Sequence, residues 1–130
     1  MKTRIFYHGS PISKLKRLEP RLDTRLGLKG VFVADEPFGP MMFALLPNRA
    51  KSTVKYVTKK RKFVEGYVIT PKPLNKVGWL YSVKPEQACI VERKPGRYFL
   101  NASTKVVKCR KVTKEEVLKL GWKVTPKTPK

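Results

Sequence analysis

The only histidine of the chain, His8, closes the apolar run Ile5-Phe6-Tyr7 and is followed by Gly9-Ser10-Pro11. Imidazole is the side chain that exchanges protons near neutrality, so acid–base or ligand-orienting chemistry is expected to start at His8. Gly9 beside it offers bare backbone that a flat ligand can approach closely. The two cysteines, Cys89 and Cys109, match no metal-ligand spacing and no disulfide framework. A cysteine nucleophile would need His8 as its neighbour, and each thiol is expected to be a small buried hydrophobe instead. Walker, Gly-x-Gly-x-x-Gly and Cys/His-cluster patterns are absent, so nothing points to a nucleoside triphosphate, a Rossmann cofactor or a metal.

Charge is the second chemical signal. Lys and Arg number 30 against 9 Asp and Glu, a formal net charge of +21. Such a field attracts polyanions, and nucleic acid, RNA or DNA, is the leading partner. The basic residues expected to meet it are Arg49, Lys51, Lys55, Lys59, Lys60, Arg61 and Lys62, with Lys108, Arg110 and Lys111 further on. Tyr56 or Tyr98 is expected to stack on bases. The 41% apolar fraction fits a folded chain. With no apolar leader and no stretch of transmembrane length, a cytoplasmic protein without membrane contact is expected, in keeping with its free thiols.

The elements that must position these residues follow from patterning. Residues 5–8 read as a short strand, and Ile12, Leu15 and Leu18 recur at intervals of three, as in one or two helical turns stopped by Pro20. Leu22 to Lys29 reads as a surface loop. Gly30-Val31-Phe32-Val33-Ala34 has strand composition, and Asp35-Glu36-Pro37 signals a helix start, with Asp35 as cap and an apolar run to Leu46 that must be buried. Residues 49–62 predict a strand ending in a basic hairpin tip, with a return strand over Phe63 to Ile69. Val77 to Val83, Arg97 to Leu100 and Val106 to Val112 are further strands, and Cys89-Ile90-Val91 pairs briefly. Thr113 and Glu116 have capping-box spacing before a helix ending at Gly121. The total is six or seven short strands and two or three short helices in one α+β domain over residues 1–124, with a basic mobile tail over residues 125–130.

On this skeleton, Tyr7-His8-Gly9-Ser10 followed by Gly30-Val31-Phe32-Val33-Ala34-Asp35 and an apolar helix resembles the ADP-ribosyltransferase superfamily, in its diphtheria-toxin and poly-ADP-ribose polymerase branch. The similarity covers residues 4–46. More weakly, Gly78 to Val83 looks like a strand of small bacterial and phage proteins of this type. The resemblance implies a compact split β-sheet core and NAD as substrate. His8 would bond a ribose hydroxyl of NAD or ADP-ribose, the Gly9 backbone would grip the carboxamide beside Ser10, and Phe32 would stack on nicotinamide. His8 and Phe32 would then face one cleft, lined by Gly9. The family glutamate should fall near Arg97-Tyr98-Phe99-Leu100, where Tyr98 stands and no Glu occurs; Glu86 and Glu92 are the nearest acids. Three functions follow: an ADP-ribosyltransferase acting on nucleic acid or its bound proteins; an RNA 2′-phosphotransferase-like enzyme with Arg21, Arg25 and Arg97 on the phosphate; and a non-enzymatic nucleic-acid binder on a degenerate transferase scaffold.

Overall fold

The computed structural model describes residues 4–23, 28–47, 51–60, 62–94 and 97–126. Eleven strands and two α-helices form there in the order β1 (Phe6–Ser10), β2 (Arg17–Leu18), β3 (Arg21–Asp23), β4 (Leu28–Ala34), α1 (Phe38–Leu45), β5 (Thr53–Lys59), β6 (Lys62–Thr70), β7 (Val77–Val83), β8 (Ile90–Lys94), β9 (Arg97–Leu100), β10 (Thr104–Thr113), α2 (Lys114–Leu120) and β11 (Trp122–Pro126). The larger sheet runs β2-β10-β7-β1-β4-β9-β8, with β3 added to β4. The smaller sheet is β11-β6-β5. The molecule is mainly β with some helix.

Strand alternation divides the core in two. On β7, Leu80 joins Met41, Met42, Leu45, Val68, Val112, Val117 and Trp122 on the face of the large sheet that carries both helices and the small sheet. Tyr81 and Val83 point the other way, with Phe6, Leu18, Val31, Val33, Tyr98 and Leu100. Helix α1 lies flush on the first face because two adjacent strands present glycine beneath it. A Cβ on Gly9 would stand 1.7 Å from the Pro40 carbonyl oxygen, and one on Gly78 would stand 2.2 Å from that of Ala44.

Several local expectations are corrected. No helix forms over residues 12–18. Lys14 takes φ 60°, and the buried Tyr81 hydroxyl accepts from the Leu15 N–H at 3.2 Å while donating to the Ile12 carbonyl, so it holds the backbone open. The segment read as a loop from Leu22 contains β3, paired with the start of β4 through Arg21↔Gly30 and Leu22↔Lys29; residues 24–27 lie outside the described residues. Asp35 does not cap α1. It lies 3.5 Å from Arg4, and the Glu36 carboxylate accepts the Phe38 N–H instead. At α2 the Thr113 hydroxyl accepts from the Glu116 N–H at 3.2 Å as expected, but the Glu116 side chain turns to Arg110 at 2.7 Å rather than back to the cap. Residues 125 and 126, placed with the tail on sequence, complete β11, which runs parallel to β6 through Thr125↔Ile69 and Pro126↔Thr70. Cys109 is exposed rather than buried, and neither cysteine is in a disulfide.

Candidate nucleic-acid interface and the His8 junction

Strands β1 and β4 are neighbours through a single register pair, Tyr7↔Ala34. Beyond it His8 bridges them, with Nδ1 2.8 Å from the Phe32 carbonyl oxygen. A carbonyl only accepts, so Nδ1 carries the proton. This one bond joins the two residues expected to frame a pocket, yet their rings diverge. Opposed residues share a face and successive ones alternate. Tyr7, Ala34 and Phe32 therefore lie on the helix-bearing face, and His8 lies on the other, opposite Tyr81. The Phe32 ring packs beside Phe99, with centroids 6.0 Å apart. The cleft expected between the His8 and Phe32 side chains is thus not formed by facing rings.

Neighbouring expectations change for the same reason. The bare side of Gly9 is covered by α1, and buried Ser10 accepts the Ile12 N–H at 3.1 Å, closing a local turn. Tyr98 is 7% exposed, edge-on to Phe6, and its hydroxyl accepts from Arg4 at 3.1 Å. It is a core residue, and the bond it offers is the main reason the Arg4 guanidinium is held even more firmly protonated than usual. The acid closest to it in register is Glu92, directly opposite on β8. Three strand spacings separate Glu92 from β1, about 14 Å along the sheet at ~4.8 Å each, so it is out of hydrogen-bond reach of His8.

Tyr56, expected to stack on bases, points inward. Its ring packs on Trp122 at 5.6 Å, and its hydroxyl donates to Glu36 at 2.6 Å. Burial first, and then that bond, push its phenol well above the ordinary value. Arg97 stands over the same ring, 5.4 Å from its centre. Glu36 thereby links the start of α1 to β5, and Arg97 extends the contact to β9.

The basic residues separate into groups. Lys59 pairs with Lys62 across the β5–β6 turn, where Lys60 adopts φ 51°, and all three are exposed. Lys55 is exposed on β5, and Lys51 is exposed just before it. Arg49, Arg25 and Arg61 lie outside the described residues. On β10, the register puts Lys108 and Arg110 on the helix-bearing face and Lys111 on the other, beside Trp79. Arg110 is committed to Glu116 at 2.7 Å and lies 3.8 Å from the Met41 sulfur. The exposed aromatic that sequence reading passed over is Tyr67, 42% exposed, between Lys55 and Lys123. Its signal is alternation in Tyr67-Val68-Ile69, where Val68 must face the core.

No group of His, Cys, Asp and Glu able to hold a metal, and no helix long and apolar enough to cross a membrane, occurs among the described residues. Comparison with protein-family models, curated proteins and solved structures finds no match for this chain.

Proposed function

We propose that this protein binds nucleic acid through its lysine-rich surface. The observation that carries the reading is the unopposed tip of the β5–β6 hairpin, where exposed Lys59, Lys60 and Lys62 make no ion pair among the described residues of a chain bearing +21. Ammonium groups on flexible stems neutralise phosphates without reading bases, so binding depends steeply on salt and weakly on sequence. The test is fluorescence anisotropy on labelled duplex DNA across a salt series. Replacing Lys59, Lys60 and Lys62 with Gln should weaken binding and flatten the slope of log affinity against log salt by up to ~2.7. An unchanged slope defeats the role of the tip, and no binding of either duplex or single-stranded oligonucleotide at low salt defeats the reading.

A second reading, binding of NAD or ADP-ribose on an ADP-ribosyltransferase-like scaffold, is favoured by one arrangement. The His-Gly-Ser strand and the Gly-Val-Phe-Val-Ala strand are sheet neighbours that pair only once before His8 spans them. Opposing it, the His8 and Phe32 rings lie on opposite faces of the sheet, α1 covers the bare side of Gly9, and no carboxylate stands at Tyr98 to stabilise a ribosyl cation, a loss that commonly costs ~10²–10³ in rate. An acceptor that brings its own negative charge offsets that defect: a terminal phosphate oxygen bonds to C1′ of the ribose as the bond to nicotinamide breaks and nicotinamide leaves. Calorimetric titration with NAD, and labelled NAD offered to phosphorylated oligonucleotide, bare oligonucleotide and protein extract, test this reading. Heat abolished by His8→Ala with folding retained, and label on phosphorylated ends first, support it. Absence of heat removes it, as does label on proteins alone.

A further inference from the structure

We infer that the outer face of the small sheet is a stacking surface for single-stranded nucleic acid, with Tyr67 as the base platform and Lys55 and Lys123 as phosphate contacts on either side. The inference rests on the nucleic-acid reading above and assigns it a strand type and a place.

Register makes the arrangement. Lys55 on β5 and Lys123 on β11 both sit opposite Tyr67 on the central strand β6, so the three side chains rise from one cross-strand row. Neighbouring strands are ~4.8 Å apart, which puts the two lysine stems about 10 Å apart with the tyrosine between them. The adjacent row, Tyr56, Gly66 and Trp122, points into the core, with the Trp122 ring packed beneath Gly66. Tyr67 is therefore anchored by a rigid central strand while its ring stays 42% exposed, and its hydroxyl makes no hydrogen bond among the described residues. A phenol ring offered to water between two ammonium groups matches a base between its two flanking phosphates, because every base has a π-face and every linkage a negative charge.

Two further features fit a strand rather than a duplex. A groove of about 380 Å³ opens at the β5 edge, lined by Lys55, Tyr67, Glu65 and, from β9, Arg97. It can receive a nucleotide next to the one on Tyr67, with the Arg97 guanidinium near its phosphate. Along β5, Lys59 lies four residues beyond Lys55, about 13 Å at ~3.3 Å per residue, so the basic tip continues the same track. Glu65, opposite Val57, is the acid on this face, one step from Tyr67 toward the tip. In a duplex the bases are stacked on each other and cannot reach Tyr67.

The test compares oligothymidylate and oligouridylate with duplex DNA by anisotropy, using the full chain and variants checked by circular dichroism. Tyr67→Ala should weaken single-strand binding about 5- to 150-fold, the range expected for one lost stack, with the salt slope unchanged. Tyr67→Phe should retain wild-type affinity, and duplex binding should hardly respond to either variant. Lys55→Ser with Lys123→Ser should lower the single-strand salt slope by ~1.4. Single-strand affinity unmoved by Tyr67→Ala, in a protein that still binds DNA, overturns the platform and leaves the general reading standing. Equal losses on single strand and duplex also overturn it. Wild-type protein that binds no oligonucleotide overturns both.

Discussion

Tyr56 ties together more of the molecule than any residue singled out on chemical grounds. Its hydroxyl donates to Glu36, which in turn receives the first N–H of α1, and its ring lies between Trp122 and Arg97. Removing the hydroxyl leaves a carboxylate short of a donor, so Tyr56→Phe should cost about 1.5–3 kcal/mol in urea unfolding at neutral pH. The raised phenol pKa adds a pH signature. The neutral form is favoured in the fold while the unfolded chain ionises near the ordinary value of 10.0, so the contribution is complete below about pH 10 and is lost as pH climbs toward the folded pKa. Wild-type stability should thus fall more steeply than that of Tyr56→Phe as pH rises above about 10; parallel curves would contradict the assignment. Gly9 offers a second test. Ala there would drive a methyl into the Pro40 carbonyl of α1, and overpacking of that kind costs typically ~1–3 kcal/mol, visible as a lower urea midpoint with His8 still present.

Elements differ in how far their own residues define them. Helix α2 is local: Thr113 caps it, Glu115 and Glu116 occupy its positive end, and Gly121 at φ 122° stops it. Thr113→Ala should cost about 1 kcal/mol, measured by thermal or urea unfolding. The segment before β2 is the opposite case. Its apolar spacing of three is helical, but a hydroxyl from β7 takes up the Leu15 N–H and the Ile12 carbonyl, and Leu18 is buried in the same core cluster as Tyr81. Tyr81→Phe should cost about 1–3 kcal/mol by stranding those groups and should speed amide exchange over residues 12–18. An exchange pattern equal to wild type would show that the segment holds itself. Strand β11 likewise reads as a departing tail until its parallel pairing with β6 is known.

For the molecule as a whole, +21 on 130 residues is a standing repulsion that the few described ion pairs, Arg4–Asp35, Arg17–Glu19 and Arg110–Glu116, hardly reduce. Screening should relieve it, because the Debye length falls from about 10 Å at 0.1 M to about 3 Å at 1 M ionic strength. The thermal midpoint should therefore rise with sodium chloride, and more at equal ionic strength with a polyanion that binds the folded state. A midpoint that ignores both would mean that the charges are spaced too widely to matter and that no polyanion site is present.

What the residues determine alone is the set of elements whose signals are local. Strands β4, β7 and β9 and the β5–β6 hairpin announce themselves by β-branched and aromatic runs between turn residues, α1 by a buried-helix composition, and α2 by its cap. The charge, +21, is also a property of composition alone. Which face a side chain takes is not. His8 and Phe32 look paired along the chain, but the register Tyr7↔Ala34 sends their rings to opposite sides, and register belongs to two strands at once. The same dependence hid the Lys55-Tyr67-Lys123 row, whose members come from three strands and meet only through the pairing of β5 and β11 with β6. Periodicity says that a strand has two faces; only packing against α1 and the rest of the core decides which of them meets solvent.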